Sequence, residues 1–541
     1  MKSIHNLKRF IIPKIYFVIW SSAQGPRSRV ISLIIFLIWF ALVLVQVRYH
    51  VFWRDEVRAL SVAKAGDLIS MIKSLRGEGH PALWFLLLRG AYFLIGSQAV
   101  LWIVSVSVAA AAALILVIRS PFAWPIIGLF LFGRIALFDY SVMARDYGIS
   151  MLLMFLFAAF YIHYRERGVL LGCILFLLAN TNASSVLLVG GFLLVWFADV
   201  VSASGLRWGK PLQIFLVNFG IASAGAIASF ASLYPPTADA IPVGFHFAIE
   251  PTQVALAVLE PARTLREITG IHAWEAIGLG EIGYFIMSMV LFGSILGLVR
   301  SPGALFAALG VLVGLSLFFL LVFAGIYRHQ ALWLVFLLTM FWIAAEQDKW
   351  RSALQPISNI RWTKTVALGS ALMVVLFAMQ TAQSYKAIVQ AGFGGLPRSR
   401  SRDLGDFIKH RPDLEHATVI ADPDYLLEAL PYYIDNPTYL IREQRFGNVV
   451  AFTTKSLLNV ELDDVLENAR KLAQERGEPV VILLAQPLDP DQPQGFSEGY
   501  DWRFSTTPDQ VRRFLAATRL LGRFSPALSD ESFDAYLFDK P

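Results

Sequence analysis

Four short polar clusters interrupt an otherwise apolar chain, and each holds residue types that can move a proton or grip an anion. The first is Trp53-Arg54-Asp55-Glu56. Two adjacent carboxylates beside a low-dielectric phase tend to separate in pKa, which suits one of them to take a proton from a hydroxyl. The same pair would also suit a solvated helix N-terminus, where acids complement the dipole. The second cluster, Gly77-Glu78-Gly79-His80-Pro81-Ala82-Leu83-Trp84, is a turn that delivers a histidine, as a site residue or as a helix cap. The third is Phe138-Asp139-Tyr140-Ser141-Val142-Met143-Ala144-Arg145-Asp146-Tyr147-Gly148, with Arg134 a little before it. Charges at membrane depth are costly and so are functional candidates, although an Arg-Asp pair can also simply pin a loop. The fourth is Ala324-Gly325-Ile326-Tyr327-Arg328-His329-Gln330. Arg145 and Arg328 have the chemistry to hold a phosphate through charge-assisted hydrogen bonds.

These clusters have to be positioned by membrane helices. Of 541 residues, 56% are hydrophobic and 16% charged, against about 25% charged in a soluble chain. Apolar runs of about 17 to 23 residues, the length needed to cross roughly 30 Å of hydrocarbon, fill residues 30 to 383 and then stop. Eleven spans are expected, at about 30–47, 99–118, 121–138, 148–164, 168–181, 184–199, 211–233, 282–299, 303–325, 329–345 and 365–383. The predicted fold class is therefore a polytopic α-helical membrane domain, 1–383, followed by a soluble α/β domain, 384–541.

Orientation follows from the basic residues. Lys2, Lys8, Arg9, Lys14, Arg27 and Arg29 precede the first span with no acid among them, which marks that end as cytoplasmic. The first span reads as a retained anchor. Pro81 to Ser97 carries Arg89 in its middle and is short, so it is expected to lie in the outer interface. Leu68, Ile69, Ile72 and Leu75 share a face opposite Asp67, Ser70, Lys73 and Arg76, as in a surface-lying helix. With 81–97 outside, Arg119, Arg165, Arg167, Arg207, Lys210, Arg300, Lys349, Arg351, Arg361 and Lys364 all fall inside, and all four polar clusters fall on the outer side. The outer loop 48–98 breaks the rule with seven basic residues against four acids. Attraction of a phosphate would account for them.

Here the chain resembles the GT-C superfamily of polyprenyl-phosphate-sugar-dependent transferases, which includes protein O-mannosyltransferases and lipid A aminoarabinose transferases. The resemblance covers roughly residues 30 to 345 and rests on Asp55-Glu56 after the first span, His80-Pro81-Ala82-Leu83, Ala144-Arg145-Asp146-Tyr147 and Tyr327-Arg328-His329. The second proline of the family's His-Pro-Pro-Leu element is here Ala82, and the late element reads Tyr-Arg-His rather than Arg-Tyr-x-x-Pro. The resemblance implies Asp55 and Glu56 as catalytic residues. It implies His80, Arg145, Asp146, Tyr147, Tyr327, Arg328 and His329 as donor-phosphate or substrate ligands. It also implies a polyprenyl-phosphate-linked sugar as donor and a lipid, glycan or protein hydroxyl as acceptor, in a bacterial inner membrane with the C-terminal domain periplasmic. No cofactor is required, and a divalent metal ion on the outer carboxylates stays open.

A lipid-phosphate sugar is already activated and already in the bilayer, so a nucleotide site is not needed, and no Gly-rich phosphate loop is visible. The tail from 385 holds 18 basic against 24 acidic residues, so the basic balance belongs to the membrane part and does not mark a nucleic-acid binder. The single cysteine, Cys173, excludes an internal disulfide. In the tail, strands are expected at 417–421, 479–484 and 532–538 and helices at 424–433, 461–476 and 508–520, with Asp422-Pro423-Asp424 as a surface turn. A flippase or transporter of a lipid-linked saccharide, an oligosaccharide polymerase or ligase, and a scaffold presenting the tail are the competing readings. The transporter lacks the internal repeat such proteins commonly show.

Overall fold

The computed structural model describes residues 26–76, 78–234, 250–354, 363–391, 395–498 and 500–539. Lys2, Lys8, Arg9, Lys14, Gly77, Arg361 and Pro541 lie outside the described residues. The chain is a polytopic membrane protein: among the described residues nine helices are long and apolar enough to cross a bilayer, from Arg27–Tyr49 to Lys364–Tyr385. Their outward faces carry exposed Leu37, Ile227, Phe230 and Phe285, as surfaces solvated by lipid do. Tyr327–Asp348 is the most enclosed, with every residue from Ala331 to Leu338 buried. A helix apolar all round belongs at a bundle centre. Arg328 sits at its first turn, so the best-packed element of the molecule places that guanidinium.

Two of the eleven expected spans are not continuous helices of membrane length. The segment expected at 121–138 is a short helix, Trp124–Leu131, followed by a π-helical turn, Ile135–Asp139. Such breaks free backbone carbonyls that something must satisfy. The first span supplies Trp39 Nε1 to Ala136 O (3.1 Å) and Gln46 Nε2 to Leu137 O (3.1 Å), and the last span gives Thr381 Oγ1 to Leu129 O (3.1 Å). The segment expected at 168–181 is helical only over Leu170–Ala179, where ten residues rise about 15 Å. It ends because Asn180 turns its amide to the carbonyls of Phe176 and Gly225 (2.9 and 3.0 Å). Thr363–Ala391 runs on past 383, so the change of sequence texture at 384 falls inside a helix.

The 48–98 segment forms Arg54–Lys64, Leu68–Ser74 and Leu83–Ile95. Thirteen residues are too few to cross, and Arg89 is satisfied where it lies. Its guanidinium caps the C-terminus of Arg54–Lys64, donating to Ala63 O and Gly66 O (both 2.8 Å). In the amphipathic helix Leu68, Ile69 and Ile72 are exposed as expected of a membrane-surface face, while Leu75 joins Met71 inside the protein. A reporter that fluoresces only in the cytoplasm, fused after Pro541, is expected to stay dark. Bright fluorescence would reverse the orientation read from the loop charges.

The C-terminal region holds a six-stranded sheet of order β3-β2-β1-β5-β9-β8, built from β1 (Thr418–Asp422), β2 (Thr438–Leu440), β3 (Arg445–Phe446), β5 (Val480–Leu484), β8 (Arg519–Phe524) and β9 (Phe533–Phe538). A small second sheet joins β4 (Asn459–Glu461), β7 (Arg503–Thr506) and β6 (Gln494–Ser497). β1 pairs in parallel with both β2 and β5, and β9 runs antiparallel to β5. Side-chain alternation divides the main sheet between two cores. Ile420, Ile482, Leu484, Tyr536 and Phe538 pack with helices Leu462–Arg476 and Pro508–Ala517. Val419, Val481, Leu483, Ala535 and Leu537 belong to a core continuous with the membrane helices.

Three expectations for the tail are corrected. Residues 424–433 form two 3₁₀ turns, Asp424–Leu427 and Leu430–Tyr432, because Pro431 interrupts the run. The helix expected to reach 520 ends at Ala517, where the β8 strand takes over. Asp422-Pro423-Asp424 is buried rather than a surface turn: Asp422 pairs with the enclosed Arg442 (2.7 Å), and Asp424 accepts from Ile441 N and Arg442 N (both 2.9 Å).

Candidate active site

The N-terminus of Arg54–Lys64 sets the two carboxylates in different surroundings, because consecutive helical residues point about 100° apart. Glu56 is fully buried. Its oxygens meet His50 Nε2 (2.9 Å) and accept from Trp53 N (3.3 Å) and Ala144 N (2.6 Å). It thereby ties the end of the first span, the start of the next helix and the Ala144 loop together. Asp55 keeps 28% of its side-chain surface exposed, and Arg328 Nη2 donates to its Oδ2 (3.0 Å). Arg145 Nη1 lies 3.7 Å from the same oxygen and donates to Asp55 O (2.6 Å).

Arg145 extends the network. Its Nη2 lies 2.6 Å from His80 Nε2, and His80 Nδ1 lies 3.3 Å from Asp146 Oδ2. His80 stands between the Arg145 guanidinium and the Asp146 carboxylate. Asp146, His80, Arg145 and Asp55 are thus joined in one chain, with Arg328 closing it from the central helix. Burial would raise the Asp55 pKa, but Arg145, Arg328, Arg54 and His80 outweigh it and hold the carboxyl below the usual carboxylate range. Asp146 is likewise lowered, by His80 and Arg145 against the effect of burial.

Trp53 floors the cluster. The guanidiniums of Arg328, Arg398 and Arg54 lie 5.6, 5.1 and 5.8 Å from the centre of its ring. Arg145 Nε, Arg328 Nε and Trp53 Nε1 are buried donors without a hydrogen-bond partner among the described residues. Donors left in this way around one carboxylate suit an anionic ligand. Tyr147 stacks on Tyr140 (5.7 Å) and meets His329 and His80 edge-on. Gly148 lets this loop close, because a Cβ there would stand 2.7 Å from Tyr140 O.

No family model and no curated protein matches the chain. Among solved structures, the crystal structure of ArnT from Cupriavidus metallidurans in the apo state superposes with a TM-score of 0.43 at 11% identity, over 95% of this chain and 97% of that one. An overlap so loose carries no argument about the site, which stands on its own residues.

Of the nine residues singled out in the sequence, Asp55, His80, Arg145, Asp146 and Arg328 form the connected network, and Tyr147 and His329 line it. His329 also caps its own helix, with Ile326 N donating to Nδ1 (3.1 Å). Tyr327 faces elsewhere: its hydroxyl donates to Gln380 Oε1 (2.6 Å) and its ring lies under Arg134. Among the described residues no group of three or more His, Cys, Asp or Glu side chains is arranged to hold a metal ion. Trp53 lies in the first cluster but has no titratable group, and Arg398 lies beyond every motif, so neither is marked in the sequence as a site residue.

Two of the seven basic residues of the 48–98 loop meet acids of the protein itself. Arg54 donates to Asp530 (2.8 Å) and its backbone N–H to Glu531 (2.9 Å), while Arg58 joins Glu78 and Glu428. Tyr433 OH donates to Phe52 O (2.9 Å), and Arg402 reaches His50 O. The excess of cations in the loop and of acids in the tail is, for these residues, a docking interface.

Proposed function

We propose that the chain is a membrane glycosyltransferase that moves a sugar from a polyprenyl-phosphate donor to an acceptor hydroxyl on the periplasmic face of a bacterial inner membrane. The observation that carries this reading is a partly exposed carboxylate held between two guanidiniums that keep unused donors, Asp55 between Arg145 and Arg328. The acceptor oxygen attacks the anomeric carbon as the bond from that carbon to the phosphate oxygen breaks. The proton of the acceptor goes to Asp55, and the electron pair of the broken bond goes to the leaving polyprenyl phosphate. Arg145 and Arg328 bind the phosphate and stabilise the charge that grows on it. His80, held by Asp146, orients Arg145, and Glu56 orients the helix that presents Asp55. Direct displacement inverts the anomeric configuration.

The test is transfer from a panel of polyprenyl-phosphate sugars by the purified protein, with the anomeric configuration of the product determined. Retention of configuration, or no transfer from any lipid-phosphate donor, would sink the proposal. Arg145→Ala and Arg328→Ala are each expected to weaken donor binding by about 10- to 100-fold, the range for losing a hydrogen bond to a charged group, with little loss of expression. Unchanged donor affinity in both would leave them as structural arginines.

A further inference from the structure

Arg398 reaches the site from the segment that leads into the C-terminal domain. Its backbone is pinned to the stretch before β9: Leu528 N donates to Pro397 O (2.9 Å), and Ser529 donates to Arg398 O through both N (3.1 Å) and Oγ (2.6 Å). The side chain extends from this anchored strap to stack on Trp53, the ring it shares with Arg328 and Arg54. Of those three cations, Arg54 pairs with Asp530 and Arg328 with Asp55. Arg398 has no ion-pair partner among the described residues, and its Nε is a buried donor without an acceptor. Burial and repulsion from Arg328 act against its charged form, and Asp139 and Glu56 offset this only in part. A guanidinium does not surrender its proton in a protein, so an unpaired one beside another cation gains most from a shared anion.

We infer that Arg398 is a third anion-binding guanidinium of the site, brought there by the C-terminal domain and seated with Arg328 on Trp53 to hold the phosphate of the lipid-linked donor. This rests on reading the site as a lipid-phosphate site. The C-terminal domain then completes the binding pocket instead of riding beside it.

The test uses the full chain in lipid nanodiscs, with sugar-free polyprenyl phosphate and the uncharged polyprenol as probes. Wild type should prefer the phosphate. Arg398→Gln, a shorter side chain that keeps hydrogen bonding but not charge, should weaken polyprenyl phosphate binding about tenfold, leave polyprenol binding alone and flatten the salt dependence. Arg398→Lys should recover part of the loss. Arg402→Ala loosens the same domain without touching Trp53 and reports the cost of undocking, read as protease sensitivity of the domain. Equal loss of phosphate affinity in Arg398→Gln and Arg402→Ala would overturn the inference, as would wild-type affinity in Arg398→Gln. Either result leaves the proposed transferase standing if wild type prefers phosphate. A wild type indifferent to the phosphate would remove both.

Discussion

Asp55→Asn is expected to lower the rate of transfer by about 10²- to 10⁴-fold, the usual worth of a positioned general base, while the donor still binds. An acceptor hydroxyl cannot attack without losing its proton, and Asp55 is the exposed acid of the pair. The substitution removes basicity at almost constant shape. It also removes the anion with which the donor phosphate competes for Arg145 and Arg328, so donor affinity should hold or tighten as turnover falls. The pH profile gives an independent check. In the free protein the surrounding cations keep Asp55 ionised to below the usual carboxylate range, so kcat/KM should lose its base only at strongly acid pH. Once phosphate shares the two guanidiniums, Asp55 becomes more basic, and the acid limb of kcat should lie at higher pH than that of kcat/KM. Near-normal turnover in Asp55→Asn, or coincident limbs, would remove Asp55 from this role.

Glu56→Ala is expected to cost about 1–3 kcal/mol of stability for each buried donor it leaves without an acceptor. It strands His50 Nε2 and Ala144 N, both enclosed and both held by that carboxylate. The apparent melting temperature in detergent should fall clearly, and Glu56→Gln, which retains one acceptor oxygen, should lose less. Because Ala144 precedes Arg145, the fraction that remains folded should show weakened donor binding before it shows slow chemistry. An undiminished melting temperature together with a loss of turnover as deep as that of Asp55→Asn would instead make Glu56 a second catalytic carboxylate.

The spans were legible where apolar length alone decides them, and illegible where the backbone breaks. Gly133 marks a weak point, yet the π turn at Ile135–Asp139 is not announced locally, since the side chains that satisfy its carbonyls, Trp39 and Gln46, come from about 90 residues earlier. The five connected site residues were found because charge is rare at membrane depth. That signal alone cannot rank neighbours: the resemblance favours Asp55 over Glu56 as the base by its position, and the helical rotation between them is what separates the exposed acid from the enclosed one. It is also silent outside the apolar part. In the charged tail an arginine is ordinary, and Arg398 acquires meaning only from the ring it lies on. The strands β1, β5 and β9 were readable as short apolar runs, whereas Asp422 and Asp424 were misread because their partner, Arg442, lies about 20 residues downstream.

The contact between Arg54 and Asp530 also has a consequence in time. A ribosome that has reached Ala391 has already synthesised all four polar clusters, yet not the strap that carries Arg398, nor Glu428, which meets Arg58, nor Asp530, which receives Arg54. Throughout that interval the nascent chain holds its carboxylate and its two arginines on an incomplete surface. On the proposed reading, a chain interrupted before Asp530 lacks the acid that receives Arg54, and the surface beside Asp55 stays open on that side.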